Sequence, residues 1–169
     1  MSTEQFKKDI LPFQNKLYRY ALSIVFDAEL AKDIVQEVFL KVWTKRAELA
    51  SVNNKEAWCI RITRNLALDK LKAASRKNVD LAYAANHFVG DANPAIQTEE
   101  NDLIASIYEA MKDLSPQQKE IFRLRDLLGY TNKEIKELMD LKDSQVKVNL
   151  YRARQKIKAK LGKLINYGS

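Results

Sequence analysis

The sequence predicts an all-α protein built as two small helical domains joined by a flexible acidic linker. Three observations lead there. Helix breakers are scarce, with 4 Gly and 3 Pro in 169 residues, and no stretch alternates apolar and polar residues as a half-buried strand would. Apolar residues recur instead three and four apart in long blocks. The charge also divides the chain: net +6 over 1–77, −4 over 78–100 and +5 over 101–169. A weakly periodic acidic stretch between two basic helical blocks is the pattern of a linker.

Residues 4–26 carry Phe6, Ile10, Phe13, Leu17, Ala21, Ile24 and Val25 at helical spacing. Pro12 lacks a backbone donor, so it either kinks this helix or separates two shorter ones. Asp27 is a capping residue for a second helix reaching about Lys45, with Leu30, Ile34, Val35, Val38, Phe39, Val42 and Trp43 on its apolar side. Asp33, Gln36, Glu37 and Lys41 take the other side. Residues 46–53 show no period and read as a loop. Asn53 or Asn54 caps a third helix to about Lys77, with Trp58, Ile62 and Leu66 inward and Arg61, Arg64, Lys70, Lys72, Arg76 and Lys77 outward. In the linker, Gly90, Asn93 and Pro94 interrupt regular structure, and a short helix fits near Leu81 to Ala85.

The second body, residues 101–169, opens with a helix over 101–113 and has the strongest local punctuation in the chain. Ser115, Pro116 and Gln118 form a capping-box start, and Ile121, Leu124, Leu127 and Leu128 carry that helix to Gly129. Thr131 and Glu134 form a second capping box for a short helix with Ile135, Leu138 and Met139 on one face. Asp140 to Lys142 make a turn. Asp143 or Ser144 then caps a long helix with Val146, Leu150, Ala153, Ile157 and Leu161 as its apolar line. From Lys142 to Lys163 there are eight Lys or Arg and one acid, Asp143. A short helix, a tight turn and a longer helix with a basic face are the parts of a helix-turn-helix, and that charge density suits phosphate.

The net charge of +7 favours a polyanionic partner. An enzyme is disfavoured. The one histidine, His87, sits in the linker, and no glycine-rich phosphate loop exists. Asp33 and Glu37 are one turn apart but read as a solvated face. Cys59 is the single cysteine, so neither an internal disulfide nor a cysteine metal cluster can form. No metal or other cofactor is expected. The start of the chain has no signal-peptide pattern, and no apolar run approaches the ~20 residues of a membrane helix. A cytoplasmic protein without membrane insertion is expected.

Three sets of residues carry a family resemblance. Asp33, Gln36, Glu37, Phe39 and Trp43 resemble the second conserved region of bacterial sigma factors of the extracytoplasmic-function group. Trp58, Arg61, Arg64, Asn65 and Asp69 are similar to the segment that follows it. Leu114 through Leu124, then Lys133, Glu134 and Ile135, then Val146, Lys147, Arg152, Ala153 and Arg154 resemble the fourth region. The match covers both bodies in the family's order. Three departures are Lys136, where the family usually has Ala near the helix crossing, Lys119 in place of a usual Arg, and Cys59 in place of a usual Leu.

The resemblance implies a non-enzymatic subunit that binds core RNA polymerase and directs it to promoters. It places Asp33, Gln36 and Glu37 on the polymerase. It places Arg61, Arg64, Asn65, Lys72 and Arg76, with the 46–54 loop, at the minus-ten element, and the linker in the polymerase's RNA channel. The helix from Ser144 would read the minus-thirty-five duplex. Since Val146, Leu150 and Ala153 face the core, elimination puts Ser144, Gln145, Val148, Asn149 and Arg152 toward bases and Lys147 and Arg154 toward phosphates, with Lys119 and Arg123 of the earlier helix. A monomer is expected, with core polymerase and promoter DNA as partners and an anti-sigma protein left open. The rival reading is a free-standing helix-turn-helix regulator.

Overall fold

A computed structural model of the chain describes residues 1–76 and 99–167. Residues 78–98 of the expected 78–100 linker, with the short helix near Leu81 and His87, lie outside them. The described residues hold helices and turns without a strand, and the chain divides into two compact units, Met1–Asp91 and Ala92–Ser169.

In the first unit, α1 spans Thr3–Asp9 and is capped by Ser2, whose Oγ accepts from the Gln5 N–H at 3.1 Å. Pro12 marks a break and not a kink: a 3-10 turn, Leu11–Phe13, separates α1 from α2, Gln14–Val25. Proline fits there because the first turn needs no donor from it. α3 spans Ala28–Thr44, with the Asp27 carboxylate accepting from the Leu30 N–H at 3.1 Å. Residues 46–49 are not loop. They form a one-turn helix, α4, Arg46–Leu49. Burial of Leu49 in the core holds it, and locally the Arg46 guanidinium lies 4.4 Å over the Trp43 ring while donating to the Trp43 carbonyl at 2.8 Å.

α5 spans Lys55–Arg76, and Asn54 caps it through an acceptor bond from the Ala57 N–H at 2.9 Å. α2 packs against both α3 and α5. The buried centre holds Leu17, Tyr20, Ala21, Ile24, Ile34, Val38, Val42 and Leu49. α5 buries Cys59, Ile60, Thr63, Leu66 and Ala67. Trp58 and Ile62, expected inward, are only half-buried. Thr63 can turn in because its hydroxyl donates to the Cys59 carbonyl at 2.8 Å, which leaves its methyl to pack. Phe6 closes the edge of the unit with T-shaped contacts to Phe39 and Trp43, at centroid distances of 6.2 and 5.4 Å.

In the second unit, α6 spans Glu99–Met111, so the helix begins inside the stretch expected to be linker. α7, Pro116–Phe122, has the full Ser115/Gln118 capping box. The chain then widens into one π turn, Arg123–Leu127, before Gly129 reverses it at φ 79°. A Cβ at Gly129 would meet nothing within 4 Å, so the backbone conformation alone calls for glycine there. α8, Asn132–Met139, has the Thr131/Glu134 capping box and ends at Asp140 in the left-handed region, φ 52°. α9 spans Asp143–Tyr167. It starts at Asp143, so neither Asp143 nor Ser144 precedes it. Lys142 does, and the Gln145 side chain accepts from the Lys142 N–H at 2.9 Å, the returning half of a capping box. α9 packs on α6, α7 and α8 around Met111, Leu114, Ile121, Leu124, Leu128, Ile135, Val146, Leu150, Ala153 and Ile157.

Candidate nucleic-acid interface and docking face

The long α9 sets out its side chains in two opposed rows. Val146, Leu150, Ala153 and Ile157 are buried, at spacings of four, three and four. Ser144, Val148, Tyr151 and Gln155 repeat the same spacings two residues out of step and are exposed. Two residues are about 200° of helical rotation, so the second row is the outward ridge. Arg152 lies beside it, exposed. Lys147 is also exposed and makes an i, i+4 bridge to Asp143 at 2.8 Å, which holds the Asp143 carboxyl below and the Lys147 ammonium above their usual ranges.

Not every residue expected on this face reaches it. Asn149 is half-buried and turned toward α7, where its amide donates to the Gln117 side-chain oxygen at 3.2 Å and to the Gln145 carbonyl at 2.8 Å. Arg154 makes a bidentate bridge to Asp126 in the π turn, at 2.9 and 2.6 Å. Arg123 is buried and paired with Glu120 at 3.4 Å, both side chains only 9% exposed. Its charge belongs to the interior of the unit, where it needs that partner. Lys119 is half-buried, and burial followed by repulsion from Arg123 lowers its pKa. Lys136 is exposed to solvent. The sequence places Tyr151 on the outer side of this helix without counting it among the base readers, and it leaves Gln155 unnamed. Extending the 4-3-4 count from the buried line brings in both as ridge residues.

The α5 surface carries a similar stripe. Arg61, Asn65, Leu68, Lys72 and Arg76 fall at spacings of four, three, four and four, and all are exposed. Arg64 stands off this stripe and is half-buried. On α3, Asp33 and Gln36 are exposed and Glu37 is partly so, facing α5 through a 3.7 Å bridge to Lys70. Gln36 faces the other way, into an open groove of about 340 Å³ between α2 and α3 lined also by Tyr18, Val35 and Phe39. Leu40, one turn beyond Gln36 and Glu37 on α3, is 68% exposed. The sequence reading passed over it because only polar positions were weighed there. Its signal was an apolar residue out of step with the buried Val35, Val38 and Val42.

Among the described residues no cluster of three metal-ligating side chains occurs, and no helix is long and apolar enough to cross a membrane. Two family profiles match the chain: "Sigma-70 region 2" over residues 10–77 and "Sigma-70, region 4" over residues 104–157. A "Probable RNA polymerase sigma factor RfaY" of Xanthomonas campestris pv. campestris is 31% identical over 155 residues, which are 88% of this chain and 38% of that relative. The chain thus spans well under half of that relative's length. The "ECF RNA polymerase sigma factor SigM" of Bacillus subtilis is 25% identical over 162 residues, covering 91% of this chain and 93% of SigM. Among solved structures, the sigma factor RpoE of Bartonella quintana, crystallised in complex with the anti-sigma factor NepR, matches with a TM-score of 0.72 at 21% identity over 95% of this chain and 98% of that one. That likeness supports the all-α fold.

Proposed function

Because this chain belongs to the sigma-70 family, in its extracytoplasmic-function group, we propose that it binds core RNA polymerase and directs it to a set of promoters. Sigma factors are non-enzymatic initiation factors, and this chain is read as one that catalyses nothing itself and works in the cytoplasm as a monomer in its free form. The observation that carries the reading is the helix-turn-helix of the second unit: two capping boxes, a left-handed turn at Asp140, and an α9 whose outward ridge is flanked by Lys147 and Arg152. This unit reads the minus-thirty-five duplex, with Ser144, Gln145, Val148 and Arg152 toward bases and Lys147 and Lys119 toward phosphates. Arg123 and Arg154 are left out of that set because each is engaged within the protein.

In the first unit, the α5 stripe of Arg61, Asn65, Lys72 and Arg76, with Arg64 at its edge, meets the minus-ten region. The α3 patch of Asp33, Gln36, Glu37 and Leu40 docks on the polymerase. An anti-sigma protein is a further partner, on the precedent of the RpoE complex. Purified core polymerase should initiate at a defined start site on genomic fragments only when this chain is added. No start site dependent on the chain, together with no co-purification of core polymerase, would refute the reading.

A further inference from the structure

The ridge of α9 has an unexpected chemistry for a helix meant to read hydrogen-bonding base edges. Of the two amides nearest to it, Gln145 uses its side-chain oxygen to cap the helix, and Asn149 spends its amide protons on Gln117 and on the Gln145 carbonyl. The centre of the ridge is apolar. Val148 is 45% exposed and Tyr151 is 65% exposed, neighbours one turn apart on the outermost line. Nothing in the fold of the second unit calls for them there, since the buried row on the opposite side already supplies the core. In the major groove the one apolar group a base pair presents is the C5 methyl of thymine.

We propose that Val148 and Tyr151 are specificity-determining residues that select thymine methyl groups within the minus-thirty-five element. This rests on the promoter-reading function above and names what that site recognises. Each residue covers a methyl group on an adjacent or next-adjacent base pair, while Arg152 and Ser144 supply the hydrogen bonds around them. The Tyr151 ring contributes through its apolar face, so its hydroxyl is dispensable for this discrimination.

The test uses the full chain bound to core polymerase. A duplex library first defines the preferred site. Each thymine in its upstream element is then replaced singly by uracil, which keeps base pairing and removes only the methyl group. At one or two thymines, uracil should weaken binding about fourfold, the value of one buried methyl group. Val148→Ala and Tyr151→Ala should each abolish the discrimination at one of these positions, and Tyr151→Phe should keep it. Both positions are exposed, so folding is checked simply by circular dichroism. A preferred element with no thymine on either strand, uracil binding as well as thymine everywhere, or discrimination that survives in both alanine variants would overturn the inference. In those three outcomes promoter selection itself still stands. Failure to select any sequence would instead overturn the promoter reading, and this inference with it.

Discussion

Arg154 and Lys147 look alike in the sequence, and the structure expects them to behave oppositely. Arg154 reaches across 28 residues of chain to hold Asp126 in the π turn with two hydrogen bonds. Lys147 bridges only to Asp143 on its own helix and stays exposed. Replacing Arg154 by Ala removes a tertiary clasp between α9 and the end of α7. Its side chain is 48% exposed and that of Asp126 is 26% exposed, so water screens the pair, and its net worth is about 1 kcal/mol despite the bidentate geometry. For a unit of this size that loss lowers the melting temperature by roughly 4–8 °C. The slope of log affinity against log salt should hardly move, because no phosphate contact is lost. Lys147→Ala should do the reverse: little change in melting temperature, and a slope smaller in magnitude by about 0.9. Thermal denaturation followed by circular dichroism gives the first quantity, and promoter binding across salt concentrations the second. The charge-swapped pair Arg154→Asp with Asp126→Arg should recover part of the lost stability. If Arg154→Ala leaves melting unchanged and reduces the slope as Lys147→Ala does, the clasp opens on DNA and Arg154 is a phosphate contact after all.

Two further outcomes are expected. Reversing the charges of Asp33 and Glu37 together should abolish co-purification of core polymerase while the far-ultraviolet dichroism stays helical, and Leu40→Asp should weaken it through the apolar centre of the same patch. Burial, with a smaller contribution from Glu56, pushes the Cys59 thiol up to about 12, so at pH 8 it is almost wholly protonated. Alkylation of the folded protein should therefore be slow and should accelerate sharply with denaturant. Fast labelling at pH 8 without denaturant would show that α5 opens locally.

The parts of this protein legible in its sequence are those that local geometry determines. Capping residues act within three residues of their targets, so Ser115, Asp27 and Thr131 place three helix starts without any knowledge of the fold. Helical periodicity is equally local, so the buried row of α9 could be counted off directly. The same locality explains why Pro12 left two readings open: a ring without an N–H signals an interruption, and only the folded chain, with its 3-10 turn at Leu11–Phe13, makes two helices of it. What the sequence could not decide depends on residues distant along the chain. The turn at 46–49 exists because Leu49 finds the core of the unit. The buried face of α5 runs through Cys59 and Thr63 because α2 and α3 supply the surfaces that cover them. On the basic face, composition counts every cation alike. Which of them is spent within the protein is decided by packing: Arg123 is buried together with Glu120, and Arg154 reaches across the unit to Asp126, whereas Lys147 pairs only with Asp143 on its own helix and stays exposed.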